Sequence, residues 1–359
     1  MRTIWSDLAV LGSGPSGAVC ALAAARAGVS VTLFGPPRAD AAAPVPRVLF
    51  AGGLDALGDL GLAELASAGT PLHSVRRWGP RGAAAELHLE RPAIGIARHL
   101  LAAGLEEALG REPRVTRVAP LVQPEETGGS LGLHAGGRRH VPRALVLADG
   151  AEGLTVPALG SPDPPGSRGS RALHSSFIAR PGMADVEVHS ARGIRLVLVR
   201  LPGRVADAAC LLERPELDAR SPEKLFERIL DELAPARGHL GDRLEGVAVR
   251  RLGPGAPRRL ARRGAFLAGR SVLGADALRP GGPGLELQSG LLAARAAAEH
   301  LAGADGGASE RGYARALRRQ LAALRRGDRP RAARRRAADG SESRPTVLAL
   351  LGGLRGAAR

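Results

Sequence analysis

Gly12, Gly14 and Gly17 stand at G-x-G-x-x-G spacing near the start of the chain, with Ser13, Pro15 and Ser16 between them and Ala21 and Gly28 beyond. Glycines at this spacing favour one chemistry, the seating of a diphosphate against backbone. The first makes a tight turn, the second lets the pyrophosphate approach, and the third lets a helix close on a strand. The N–H groups that open such a helix lack partners inside it and carry partial positive charge, so they suit an anion.

The elements that must hold this turn are legible on either side of it. Residues 7–12 form an apolar run of the kind a parallel strand covered on both faces requires, and a second run spans 29–34. A strand–turn–helix–strand unit is therefore expected. At the end of its second strand a carboxylate would grip a ribose hydroxyl. This chain has Gly35 there, followed by Pro36, Pro37 and Arg38. Two readings stand: Arg38 meets the 2′-phosphate of an NADP-type dinucleotide, or the ribose grip is lost and Arg38 is solvated.

Far along the chain, an apolar strand is expected to end at Gly269 and to feed a Gly/Pro-rich loop at 280–284. A helix over 283–300 follows, with Pro283 suited to a first turn where no N–H partner is needed. Gly282 and its neighbours leave N–H groups bare for an anionic ligand or an electron-rich carbonyl, or else form an ordinary loop cap.

Four segments in order resemble the flavoprotein monooxygenase superfamily of aromatic hydroxylases, geranylgeranyl reductases and flavin-dependent halogenases. They are the 12–28 fingerprint with Pro15, the helix start at Arg98 with Leu101 and Leu105, the stretch Ala148-Asp149-Gly150 after an apolar strand, and Gly269-Arg270 through Ser289-Gly290. The likeness covers about residues 5 to 325. Residues 46–61 are similar to the halogenase-like branch, although Trp5 and Trp78 are the only tryptophans and that branch's tryptophan signature is absent.

The resemblance implies FAD as cofactor, with NAD(P)H as a transient reductant. It puts Gly12, Gly14, Pro15, Ser16 and Gly17 at the pyrophosphate, and Arg98, Asp149 and Gly150 near the cofactor. Gly269 and Arg270 would lie by the ribityl chain, and Gly282 with Pro283 at the flavin ring. The implied activity is monooxygenation, hydroxylase- or halogenase-like, in a tailoring or protein-maturation pathway. Its implied substrate is an aromatic group, free or carried on a peptide or protein.

The family pattern breaks at its acids. Arg270 replaces the aspartate of the ribityl contact, Gly35 the ribose acid, Arg47 a glutamate, and Ala102 the acid of the helix start. A guanidinium donates where a carboxylate accepts, and each lost charge-assisted hydrogen bond is worth about 1.5–3 kcal/mol. A second reading follows: a flavin-free relative whose arginine-lined cleft takes an anionic ligand or a partner protein.

The expected fold class is α/β. Residues 1–70, 91–159 and 260–305 would form a discontinuous Rossmann-like FAD/NAD(P)-binding domain on a parallel sheet. Period-two alternation in 72–89 and 171–212 predicts an antiparallel-sheet substrate lobe from 71–90 and 170–259. The Pro/Gly/Ser-rich stretch 160–169 reads as a linker, and Ser221-Pro222-Glu223 as a helix start. Residues 306–359 would form a basic C-terminal helix and flexible tail, with Leu317, Leu321 and Leu324 on one helix face and 329–343 disordered.

Charge and cysteine content narrow the classes. The net charge of +16 is spread along the chain except for a dense run of arginines over 318–336. No DNA-reading motif accompanies it, so nucleic acid is not an expected partner, while the basic tail could meet a protein. Two cysteines, Cys20 and Cys210, give neither a disulfide framework nor a zinc site. The nine histidines show no metal-ligand spacing, so no metal is expected. His174 and His189 fall on the predicted substrate sheet as pocket-lining candidates, against an ordinary packing role. A first strand with no signal core before it, and no apolar stretch of about 18 residues, point to a cytoplasmic protein without a membrane span.

Overall fold

The structure, a computed structural model, describes residues 3–37, 47–79, 84–119, 124–127, 130–150, 171–191, 193–212, 221–251, 259–273, 282–303 and 305–327. Strand β1 (Thr3–Leu11) leads through the glycine turn into α1 (Pro15–Arg26), and β2 (Val31–Phe34) is buried along its whole length. Next come β3 (Arg47–Leu49), α2 (Ala51–Gly58), β4 (Thr70–Trp78), β5 (Ala84–Ile96) and α3 (Arg98–Gly110). Strands β6 (Val115–Val118), β7 (Pro124–Thr127), β8 (Ser130–Ala135) and β9 (Arg138–Leu147) complete the first half.

The second half opens with β10 (Arg171–Ala179), β11 (Val186–Ala191), β12 (Ile194–Leu201) and β13 (Val205–Leu212). Helices α4 (Pro222–Glu232) and α5 (Ala234–His239) follow, then β14 (Leu240–Arg243), β15 (Ala248–Arg251), β16 (Ala261–Arg262) and β17 (Ala265–Leu267). Three helices end the described chain: α6 (Arg270–Leu273), α7 (Gly282–Leu301) and α8 (Gly306–Gly327).

Two sheets result. The first has the order β16-β17-β9-β1-β2-β6, with the β7–β8 hairpin attached to β9. Its spine is parallel: Leu8–Leu11 lie opposite Val31–Phe34 on one side and opposite Ala144–Leu147 on the other. All four of Leu8, Ala9, Val10 and Leu11 are inaccessible to solvent, as expected where helices cover both faces. The second sheet runs β14-β10-β13-β12-β11-β4-β5-β3, with β15 on β10. It is antiparallel except where β11 runs parallel to β4. Because β3 and β5 belong to this sheet, the chain crosses between the two layers within residues 47–98.

Alternation gives the second sheet two distinct faces. Val186, Val188 and Val199 join Leu72, Val75, Leu87, Val48 and Phe50 in one apolar cluster. The opposite face carries Leu173, Phe177, Leu196, Leu198 and Ala208 against Phe226, Ile229 and Leu230 of α4 and Ala236 of α5. The helix expected after Ser221 is α4, whose N-cap serine has extended backbone but makes no side-chain capping bond.

The C-terminal helix starts at Gly306, ahead of Ser309, and seats the predicted stripe: Leu317, Leu321 and Leu324 are buried together with Tyr313. The Tyr313 hydroxyl donates to the Leu267 carbonyl, and its ring meets Phe266 edge-on at 5.4 Å. Cys20 and Cys210 are both free and buried. No described helix is long and apolar enough to cross a membrane. Arg38, the 160–169 stretch and the tail beyond residue 327 lie outside the described residues.

Candidate functional site

The glycine turn is built by contacts that exclude any side chain at two of its positions. Gly12 has φ +102°, and a Cβ there would lie 2.2 Å from the Ala148 carbonyl oxygen. At Gly17 a Cβ would stand 1.8 Å from the Gly12 carbonyl oxygen. Gly14 is different: a Cβ there would meet nothing within 4 Å. That open side faces whatever the turn holds. Helix α1 starts here with Gly14 at the N-cap, Pro15 following, no side-chain cap and no acid in its first turn. Its leading N–H groups therefore receive no side-chain cap.

Distant segments close on this turn. The Asp149 Oδ1 accepts from Ser271 Oγ at 2.9 Å, and the Gly150 N–H donates to the same hydroxyl at 3.2 Å. Gly269, at φ +67°, lies so near α1 that a Cβ would come within 2.2 Å of Ser16 Oγ. Its N–H donates to Ser289 Oγ at 2.8 Å. At the next residue of α7, a Cβ on Gly290 would reach 2.3 Å from the Ser16 carbonyl oxygen. Helix α7 opens at Gly282, one residue ahead of the expected start at Pro283, and Gly284 abuts Gly53, the two backbones leaving 2.9 Å for a Cβ on Gly53. Arg98, at the first position of α3, is buried and shares a small cleft with Ser13, Pro15, Ala18, Ala102 and Leu105.

The positions of the missing acids are filled in two different ways. At the end of β2, Gly35 has φ +134°, and Ser13 Oγ, donating to the Pro36 carbonyl at 2.5 Å, stands 3.0 Å from where its Cβ would be. At the third segment, the guanidinium Nε of Arg270 lies 3.8 Å from Glu286 Oε2, and Glu286 is buried on the first turns of α7. The structure brings Arg270 to Glu286, an acid that belongs to none of the motifs read from the sequence. Arg47 opens β3 opposite Ile96.

The apolar face of the second sheet that includes Val48 and Phe50 adjoins this assembly, since Phe50 precedes α2 and α2 packs on α7. One polar pair interrupts it. Asp207 lies opposite Val199 in the register, so it shares that face, and its Oδ1 is 2.5 Å from His174 Nε2. Both side chains are buried, and burial pushes the Asp207 carboxyl up to about 6 against the opposing pull of His174. His174 is therefore a candidate on the face toward the glycine turn.

His189 is on the other side. It and Glu187 pair with Leu196 and Leu198, and their side chains share the face covered by α4 and α5. There they meet His239 at the end of α5, which is 52 positions from Glu187. Along the chain the histidines show no metal-ligand spacing. In space, Glu187, His189 and His239 place ligand atoms within 4.8 Å of one another. A second basic feature lies on α8, where Arg311, Arg315 and Arg319 line a cavity of about 630 Å³ with Arg259 and Glu310.

No protein-family model matches the chain, and no curated protein matches its sequence. Its fold, in contrast, is shared with solved flavoproteins. The flavin-dependent brominase Bmp2 superposes with a TM-score of 0.75 at 15% identity, over 89% of this chain and 85% of that one. A geranylgeranyl bacteriochlorophyll reductase-like protein of Thermoplasma acidophilum gives 0.73 at 14%, over 88% and 84%. PqsL of Pseudomonas aeruginosa, in complex with 2-aminobenzoylacetate, gives 0.68 at 19%, over 89% and 96%. The architecture is that of the FAD-dependent monooxygenases, flavin halogenases and geranylgeranyl reductase-like proteins, with their Rossmann-type first layer.

Proposed function

We propose that the chain is a flavin-dependent oxidoreductase that holds FAD across the glycine turn and acts on a small aromatic substrate over the Val48–Phe50 face of the second sheet. The observation that carries this is the convergence of 12–17, 148–150, 269–271 and 289–290 on one turn that stays open beside Gly14. A diphosphate is what such a cradle suits. The residues present therefore fit the diphosphate end of FAD.

In this reading Gly12, Gly14 and Gly17 shape the turn, the α1 N–H groups and Arg98 neutralise the diphosphate, and Asp149 with Ser271 fixes the loop beside it. Gly282 and Pro283 open α7 toward the ring. Bound there, FAD would supply hydride acceptance from NAD(P)H and the reactivity with oxygen. The His174–Asp207 pair orients a proton-accepting nitrogen on the substrate face. The aromatic class of substrate is supported by the 2-aminobenzoylacetate held by PqsL.

A second reading is favoured by the Arg270–Glu286 ion pair and by Gly35, which leave the ribose and ribityl ends without their acids. In it the chain is a flavin-free binder of an anion. Titration of the purified protein with FAD, read by flavin fluorescence and absorbance, separates the two. The first reading expects saturation at one FAD per chain and FAD-dependent NAD(P)H oxidation. A folded protein that takes up no FAD contradicts it.

A further inference from the structure

The face of the second sheet turned away from the glycine turn carries a buried constellation that the proposed flavin chemistry does not use. Glu187 is inaccessible to solvent, His189 nearly so, and His239 is about one-sixth exposed. Both imidazoles aim at one carboxylate oxygen: His189 Nε2 is 3.0 Å and His239 Nδ1 2.7 Å from Glu187 Oε2. We propose that Glu187, His189 and His239 form a binding site for a zinc-like divalent transition-metal ion that ties β11 to α5.

The donor set is right for such an ion. Two imidazoles and one carboxylate, with a water in a fourth position, are a recurrent Zn²⁺ environment, with bonds of about 2.0–2.2 Å. Ligand atoms around a tetrahedral ion of that size sit about 3.3 Å apart by geometry. The two separations from Oε2, 3.0 and 2.7 Å, must open by a few tenths of an ångström, and the two imidazole nitrogens stand within 4.8 Å of each other. Metal binding requires an ionised carboxylate and neutral imidazoles.

The surroundings orient the ligands. Glu187 Oε1 accepts from the Ala184 N–H at 3.0 Å and faces Arg76 Nη1 at 3.4 Å, which reserves Oε2 for the ion. The Trp78 ring stacks on His189 with centroids 5.8 Å apart and planes 8° from parallel. His239 reaches solvent and so provides an entry path. Arg76 adds a repelling charge, which Glu86 offsets with a contact at 2.6 Å. His189 Nδ1 is buried without a hydrogen-bond partner, and an imidazole lacking that support binds a metal roughly 10–100-fold more weakly. An exchangeable ion, with a dissociation constant on the order of micromolar, is expected. On binding, each imidazole shifts its proton to its other nitrogen, so two neutral rings release none.

The test uses the full chain, free of any histidine tag and stripped with chelator, titrated with Zn²⁺ against a chromogenic competitor and followed by thermal melting. One equivalent should bind, with the melting temperature rising by a few degrees. Co²⁺ should give visible bands of a four-coordinate nitrogen–oxygen site. His239→Ala, at the exposed end, should weaken Zn²⁺ at least tenfold and remove the thermal shift, as should the isosteric Glu187→Gln. No uptake at equimolar micromolar concentrations overturns the proposal. So does uptake that His239→Ala leaves unchanged. Both outcomes are read without flavin, so they are independent of the proposed oxidoreductase activity.

Discussion

A Cβ on Gly17 would stand 1.8 Å from the carbonyl oxygen of Gly12, so the turn and the start of α1 exist only as one unit. At Gly14 a Cβ would meet nothing within 4 Å, and the backbone there, at φ −66° and ψ 176°, suits alanine. The two glycines answer different demands, one from the fold and one from the ligand. Gly17→Ala should destabilise the protein by about 2–4 kcal/mol and abolish FAD uptake. Gly14→Ala should melt within about 0.5 kcal/mol of the parent yet bind FAD at least tenfold more weakly. Thermal melting and FAD titration of both variants check this, and unchanged FAD affinity in Gly14→Ala would mean that no diphosphate crosses the turn.

Asp149 reaches the site through Ser271, whose hydroxyl it accepts at 2.9 Å. Asp149→Ala removes that bond and frees the Gly150 loop. The expected cost is about 1 kcal/mol in stability, with FAD affinity reduced roughly tenfold. Equal affinities for variant and parent, measured by fluorescence titration, would remove the 148–150 segment from the site.

The ion pair of Arg270 with Glu286 makes a reconstruction possible. Replacing both, as Arg270→Asp with Glu286→Ala, supplies an acceptor where the resemblance implies an aspartate and removes the acid that would repel it. FAD affinity should rise by about tenfold or more, on the scale of one charge-assisted hydrogen bond. Gly35→Glu should not achieve the same at the ribose end. There φ is +134° and Ser13 Oγ lies 3.0 Å from the Cβ position, so strain lowers stability first. A double variant that binds FAD no better than the parent would contradict the ribityl placement of residue 270.

Burial holds the Asp207 carboxyl up at about 6, against an ordinary value of 3.8. The folded state therefore keeps a proton that the unfolded chain releases earlier. This contribution is fully favourable below pH about 4 and is lost as pH rises through about 6. Asp207→Asn should remove that loss, so the difference in melting temperature between variant and parent should grow between pH 4 and 6 and then level off. Parallel profiles across that window would show that Asp207 is already ionised.

Much of the first layer was legible in the sequence because its constraints are local. The three glycines, the flanking apolar runs and the helix at Gly282 are contiguous signals, and each lies where its spacing implied. The stripe of Leu317, Leu321 and Leu324 was likewise readable from its period alone. The Glu187–His189–His239 cluster was not. It depends on α5 folding back over β11, and residues 52 positions apart have no shared periodicity to reveal them. Glu286 was missed for a related reason: a single acid in an apolar helix registers as a solvated position until the helix is docked. The side of the sheet on which His174 and His189 lie was also beyond the pattern. Both sit on strands, and only the register, which aligns His174 with Ala209 and Val197 and His189 with Leu196, separates the face toward the turn from the face under α4.

The most direct measurement of the central claim is a titration of the purified, folded chain with FAD, with Gly17→Ala alongside as the broken-cradle control. Two lost charge-assisted contacts place the dissociation constant on the order of 1–100 µM rather than nanomolar. The predicted result is saturation at one FAD per chain in that range, absent from Gly17→Ala. A folded parent protein that leaves FAD fluorescence unchanged at millimolar cofactor would contradict the account.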